Sequence, residues 1–381
     1  MIRKVVLTVT PIYSIPPRGA AAVESWMYNV AQRMSYENKI VCIRNDGYEE
    51  YSEVSEKCSI HRIGFSRLYK RIFQKWTRLD PVPYSQRILN IKNKFATEDE
   101  SVIVVHNNLK IFRQISKRAP STNLVLHMHN AFEPKDITPN AKIIVPSNYL
   151  KEFYQAYLPH ANIKIVPNGI DLTSYQESKS VITRAAVGIS SKDTVIFYAG
   201  RIVPDKGILL LMQAFESLAQ KRSDLKLVVI GDQYSDQKGE IATYQRQVRE
   251  IADRLTGRCI MVGGVAPEKM HHYYHLADLV VIPSQFKEPF CMVAIEAMGA
   301  AKPVLVSTRG GMTEFVKADA TGLHLSEPMT TQSVVNDIET ALVHPHLKEI
   351  GHTGKEYVFK HYSWEAVTSQ FERLIREWFD Q

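Results

Sequence analysis

Two α/β domains, each a parallel β-sheet covered by helices on both faces, are what this 381-residue sequence predicts. Three observations carry the expectation. Short β-branched runs alternate with amphipathic helical spacing along the whole chain, the pattern of parallel sheets with crossover helices. The alternation falls into two similar blocks of about 170–190 residues, each large enough for a core of its own. In each block, residues suited to anions and hydroxyls follow strand-like runs, at the edge where open α/β sheets bind ligands.

In the first block, strands are expected at Val5–Val9, Ile40–Ile43, Val102–Val105, Leu124–His127 and Ile143–Val145, with helical spacing from Ala20 to Met34. In the second they are expected at Val195–Ala199, Leu227–Ile230, Ile260–Val262, Leu279–Ile282 and Val304–Val306. The polar, aperiodic stretch from Asp171 to Arg184 divides a first domain, 1–171, from a second, 172–360. Residues 361–381 hold a last helix, Trp364 to Phe379, with Val367, Phe371, Leu374, Ile375 and Trp378 on one face.

Composition excludes several classes. Hydrophobic residues make up 45% and charged residues 23%, an ordinary globular balance. No apolar run approaches the roughly 18–20 residues needed to cross a bilayer. The N-terminal Val5–Val9 run is too short for a signal peptide and is followed by Pro11, Pro16 and Pro17, so a cytoplasmic protein is expected. Cys42, Cys58, Cys259 and Cys291 are scattered without a C-x-x-C pair, which fits reduced thiols rather than a disulfide framework or a zinc site. The net charge of +7 is uneven: residues 1–171 hold 24 Lys and Arg against 15 Asp and Glu, the remainder 23 against 25. An anionic partner is therefore expected for the first half. It is not nucleic acid, because basic and aromatic residues interleave in no recognisable RNA-binding motif and no zinc finger or helix-turn-helix is present.

The densest chemistry lies in S-Q-F-K-E-P-F-C-M-V-A-I-E-A-M, where Glu288 and Glu296 stand eight positions apart. A helix is expected to begin between Pro289 and Met292, so Glu288 lies just outside its N-terminus and Glu296 one to two turns inside. Taken alone, each glutamate reads as a favourable helix-dipole partner. Together they place carboxylates for hydroxyls beside free N–H groups for phosphate, near Phe290, Cys291 and Met292. Upstream, Gly200-Arg201-x4-Lys206-Gly207 follows the Val195–Ala199 strand, and no Asp-x-Asp signature offers a metal site. Arg201 and Lys206 are thus expected to clamp a diphosphate without metal, although loop cations are more often simply solvated. The turn Arg18-Gly19-Ala20 opens the first helix and is small enough for close approach of a phosphate or sugar; alone it reads more readily as structural.

In this order, G-R-x4-K-G, V-V-I-G-D (Val228 to Asp232), A-D-L-V-V-I-P-S and E-x7-E resemble the donor half of retaining GT-B glycosyltransferases of family 4. The resemblance extends to Pro303-Val304-Leu305, Gly310-Gly311, Thr321-Gly322, P-N-G-I-D and H-M-H-N, and so covers nearly the whole chain. It implies two Rossmann-like domains with a cleft between them and a C-terminal helix crossing back to the first domain. It also implies that Glu296 binds the ribose, Glu288 binds the donor sugar, and His129 contacts that sugar near the reacting carbon, while His127 points into the sheet. Retention is expected without a covalent intermediate, with a phosphate oxygen taking the acceptor proton. P-P-R-G-A-A-A-V-E, F-Q-K-W-T-R-L-D-P and H-M-H-N-A-F-E-P are similar to enterobacterial transferases of the lipopolysaccharide outer core. That similarity implies UDP-N-acetylglucosamine as donor and the core as acceptor, with no cofactor.

Two departures stand out: Cys291 occupies a position where the family has glycine, and A-A-G-K-P becomes Gly299-Ala300-Ala301-Lys302-Pro303. His271-His272-x-x-His275 has metal-like spacing but falls in the family's M-x-x-Y-Y-x-x-A-D helix and lacks a fourth ligand. Between 65 and 79, apolar Phe65, Leu68, Tyr69, Ile72, Phe73, Trp76 and Leu79 oppose Arg67, Lys70, Arg71, Lys75 and Arg78. A core-packed helix with a solvated basic face would look the same. The expectation taken is peripheral docking on the anionic cytoplasmic face of the inner membrane. Two other functions compete: a UDP-sugar epimerase of the same fold, and a two-lobed binding protein without catalysis.

Overall fold

The computed structural model describes residues 5–17, 19, 21–66, 82–98, 100–176, 182–231 and 239–379. The chain forms two compact units, Met1–Gly169 with Trp364–Gln381, and Ile170–Ser363.

Unit 1 is built on strands β1 (Val5–Val9), β2 (Glu37–Ile43), β3 (Tyr51–Ser55), β4 (Cys58–Ile63), β5 (Ser101–His106), β6 (Asn123–His127), β7 (Lys142–Val145) and β8 (Asn162–Ile165). They join in one sheet in the order β3-β4-β2-β1-β5-β6-β7-β8, and every pairing is parallel except β3 with β4. The central strands are apolar on both faces because helices cover both; β5 is buried along its whole length. The edge strand β3 instead alternates exposed Tyr51, Glu53 and Ser55 with half-buried residues, which suits an open edge carrying charge. The helix Ala22–Arg33 turns Trp26, Met27, Val30 and Ala31 into the core. The helix Trp364–Phe379 buries Val367, Phe371, Leu374, Ile375 and Trp378 in the same cluster, with Phe371 edge-on to Trp26 at 5.2 Å. Each such buried side chain contributes about 1.5–3 kcal/mol.

Unit 2 is built on β9 (Thr194–Ala199), β10 (Leu225–Ile230), β11 (Cys259–Gly263), β12 (Leu279–Ile282), β13 (Val304–Val306) and β14 (Leu323–His324), in the order β11-β10-β9-β12-β13-β14. All its pairings are parallel.

In both sheets the strand order reverses beside the first strand of the unit, between β1 and β5 and between β9 and β12. These are the switch points where loops leave in opposite directions and open a ligand crevice at the carboxyl edge. The ten strands expected from the sequence are all present. Among the described residues, no helix is long and apolar enough to cross a membrane. The basic segment lies almost wholly outside the described residues; its first member, Phe65, stacks on Tyr84 at 6.2 Å and lies under the Arg87 guanidinium.

Candidate active site

The switch point of unit 2 gathers the charged residues singled out above. After β9 the chain turns at Gly200, whose φ is +153°, and places Arg201 in solvent. A short turn, Pro204–Lys206, then leads to Gly207 at φ +69°. A Cβ on Gly207 would lie 1.9 Å from the Pro283 carbonyl oxygen, so only glycine lets this loop close against the end of β12. The Gln285 N–H donates to the Asp205 carbonyl at 2.8 Å and ties the two loops together.

That closure brings Lys206 Nζ to 2.6 Å from Glu288 Oε1. Ser284, fully buried at the end of β12, donates its hydroxyl to the same oxygen at 2.7 Å. Glu288 is only 4% exposed, so the half-buried Lys206 ammonium and the Ser284 hydroxyl both meet a carboxylate held out of water. Its main chain is fixed as well: the Gly311 N–H donates to the Glu288 carbonyl at 2.7 Å. Gly310, at φ +82°, lets the two backbones touch, since a Cβ there would sit 2.3 Å from that carbonyl oxygen. The Lys206 ammonium also lies over the Phe286 ring at 4.7 Å.

Three residues on, Cys291 caps the helix Met292–Gly299 with φ +85° and no side-chain hydrogen bond to the first turn. Burial, aided by the charge of Glu288, pushes its thiol up to about 12. Glu296 lies one turn into the helix and accepts a hydrogen bond from the Tyr274 hydroxyl at 2.8 Å. Burial raises its carboxyl above the ordinary range, and the tyrosine opposes that shift. Tyr274 itself is fully buried. Met292 is half-buried at the helix start, whereas the Phe290 side chain belongs to the core, packed on Phe315 and Tyr362.

In unit 1, no atom of the described residues lies within 4 Å of the place where a Cβ on Gly19 would stand. His129 is 7% exposed, and its Nε2 lies 3.3 Å from His106 Nδ1. His127 is completely buried, and its ring stacks on that of His129 at 4.1 Å, so the two share one side of the sheet edge. Burial lowers all three histidines, His129 to about 3, and keeps the rings neutral.

Sequence reasoning did not single out Ser284, Tyr274 or His106 as side chains of the site. Ser284 is legible as the first polar residue after the apolar strand and Pro283. His106 needed the pairing of β5 with β6, where it stands opposite His127.

Residues 181–357 match the sequence family described as glycosyl transferases group 1. Over 99% of this chain and 100% of the other, the fold is similar to that of sucrose-phosphate synthase from Thermosynechococcus elongatus, with TM-score 0.81 and 20% identity. Anabaena HepE, solved with UDP and glucose, gives TM-score 0.74 at 19% identity over 97% and 98% of the two chains. The fold is therefore the GT-B fold of glycosyltransferases. At 54% identity over 381 residues, all of both chains, the sequence is similar to lipopolysaccharide 1,2-N-acetylglucosaminetransferase of Salmonella typhimurium. The chain belongs to that glycosyltransferase family.

Proposed function

We propose that this enzyme transfers N-acetylglucosamine from UDP-N-acetylglucosamine to a hydroxyl of the lipopolysaccharide outer core, with retention at the anomeric carbon. The observation that carries the reading is the Lys206–Glu288–Ser284 cluster beside Glu296 at the switch point of unit 2, in a chain 54% identical to the Salmonella transferase.

The leaving UDP gains negative charge as the glycosidic bond breaks. Lys206 and the solvent-exposed Arg201 supply fixed positive charge for it, and the N–H groups at Cys291 and Met292 supply dipoles. Losing one such contact costs about 3–4 kcal/mol, or 100–1000-fold in rate. Glu296, held by Tyr274, accepts the ribose hydroxyls, and Glu288, held by Ser284, accepts sugar hydroxyls. The acceptor hydroxyl attacks from the face the diphosphate leaves, and a phosphate oxygen takes its proton. No step calls on a metal or cofactor. In unit 1, Gly19 offers room for close approach, and His129, 7% exposed, is the candidate contact to the sugar.

The excess of basic residues in unit 1 suits a phosphorylated core acceptor, and the 65–79 segment suits an anionic leaflet. Liposome sedimentation is expected to fall in a Lys70/Arg71/Lys75/Arg78→Glu variant; equal sedimentation would remove the membrane contact from the account.

The function is tested by UDP release with truncated core and a panel of UDP-sugars, with and without EDTA. Turnover with UDP-N-acetylglucosamine alone, unaffected by EDTA, is expected. Turnover only with UDP-glucose would replace the donor, and UDP-sugar interconversion without acceptor would replace transfer by epimerisation.

A further inference from the structure

The histidines at the carboxyl edge of unit 1 exceed what the proposed transfer needs. His106 ends β5 and His127 ends β6, and the two stand opposite each other in the parallel register, so their side chains leave the sheet on one face. His129 follows two residues later and stacks on His127. One potential ligand nitrogen from each ring lies within 4.8 Å of the others. We propose that His106, His127 and His129 form a binding site for a d-block dication of the zinc class.

Three observations support it. The 3.3 Å between His106 Nδ1 and His129 Nε2 is the nitrogen–nitrogen edge of a tetrahedral ion with bonds of about 2.0–2.1 Å. Closing the widest nitrogen pair takes about 1.5 Å, within the reach of a ring rotation. His106 Nε2, His129 Nδ1 and both nitrogens of His127 are buried without a hydrogen-bond partner among the described residues. Such orphaned groups are costly and rare, and an ion seated against His106 Nδ1 and His129 Nε2 would satisfy one of the two His127 nitrogens. The Asn168 side chain pairs with His129, which brings a carboxamide oxygen beside the cluster as a candidate for a fourth position.

Three imidazoles select a borderline ion such as Zn²⁺ or Co²⁺ over Mg²⁺, which prefers oxygen ligands. Trp26 provides an internal reporter. Its indole packs on all three rings, edge-on to His127 at 4.5 Å, and its N–H donates to the Pro167 carbonyl. An ion bound among the histidines lies close enough to quench it.

The test titrates purified, metal-stripped full-length protein with Co²⁺, following visible absorption and tryptophan fluorescence. One equivalent with tetrahedral absorption and fluorescence quenching is expected. Losing a ligand should weaken binding by more than about 100-fold, beyond the 10–100-fold cost of an outer partner, in both His106→Asn and His127→Gln. Trp26→Phe should bind Co²⁺ while losing the quenching. His271→Asn/His272→Asn removes the half-buried histidine pair of the other unit and should leave the signal intact. The proposal is overturned if wild type binds no tetrahedral Co²⁺, or if the signal survives His106→Asn and disappears in His271→Asn/His272→Asn. None of these readouts depends on sugar transfer.

Discussion

Ser284→Ala separates a structural contact from a catalytic one. In the free enzyme Glu288 Oε1 has two partners, Lys206 Nζ at 2.6 Å and Ser284 Oγ at 2.7 Å. A diphosphate that arrives at Lys206 competes for its ammonium, and Ser284 then remains to hold the carboxylate toward the sugar. The hydroxyl therefore matters more with donor bound than without. A hydrogen bond to a charged group contributes about 1.5–3 kcal/mol. Because Lys206 still partners the carboxylate in the free form, little of that loss should fall on folding. Ser284→Ala is expected to lower kcat/KM for the donor by about 10–100-fold, at about 1.4 kcal/mol per tenfold. The melting temperature should move by about 2 °C or less, an expected shift below that of a 1 kcal/mol change. The assay is UDP release against donor concentration. A kcat/KM within about twofold of wild type would refute the role given to this hydroxyl.

The remaining predictions concern the frame around it. Tyr274→Phe removes the bond that opposes the raised carboxyl of Glu296, so the acid limb of donor kcat/KM should move to higher pH; in Glu296→Gln that limb should vanish. Folding obeys the same sign: a carboxyl raised in the folded state favours protonation, so its contribution to stability falls as pH rises through its pKa. Glu296→Gln should therefore raise the melting temperature at pH 7. Gly207→Ala adds a left-handed alanine, about 1–2 kcal/mol, to a 1.9 Å approach to Pro283, and should lower both stability and donor affinity. Gly188→Ala, at φ +74° with no atom of the described residues near its Cβ position, should show the conformational cost alone and keep activity. Ala301, at φ +56°, stands where the family has glycine. Ala301→Gly should stabilise the protein by about 0.5–1 kcal/mol in urea unfolding, the left-handed cost less the entropy of glycine.

What was legible in the sequence follows from which signals are local. β12 and β13 were read to the residue because an unbroken Val, Leu and Ile run between turn residues has one reading. β3 was not, since an edge strand facing solvent through Tyr51, Glu53 and Ser55 looks like a loop. β14 was missed because two residues, Leu323 and His324, carry no period. Lys206 and Glu288 stand in loops at strand ends and the structure brings them into contact, whereas Glu296 lies one turn into the helix that follows. Phe290 shows the limit: its main chain belongs to the helix start while its ring fills the core, a division that sequence position does not express. His127 and His129 are expected to point in different directions, yet their rings stack at 4.1 Å. The histidine cluster depends on His106, more than twenty positions away and joined only through strand pairing. The two departures from the family pattern, Cys291 and Ala301, both fall at positive φ, so the chain keeps its turns there at a cost in backbone strain.

Calorimetric titration of UDP-N-acetylglucosamine decides whether the Lys206–Glu288 and Glu296–Tyr274 pairs form the donor site. Wild type should bind one equivalent, and Glu296→Gln and Lys206→Met should each weaken binding at least about tenfold, or 1.4 kcal/mol, while remaining folded. Affinity unchanged in both variants would contradict the account and place the donor elsewhere on the enzyme.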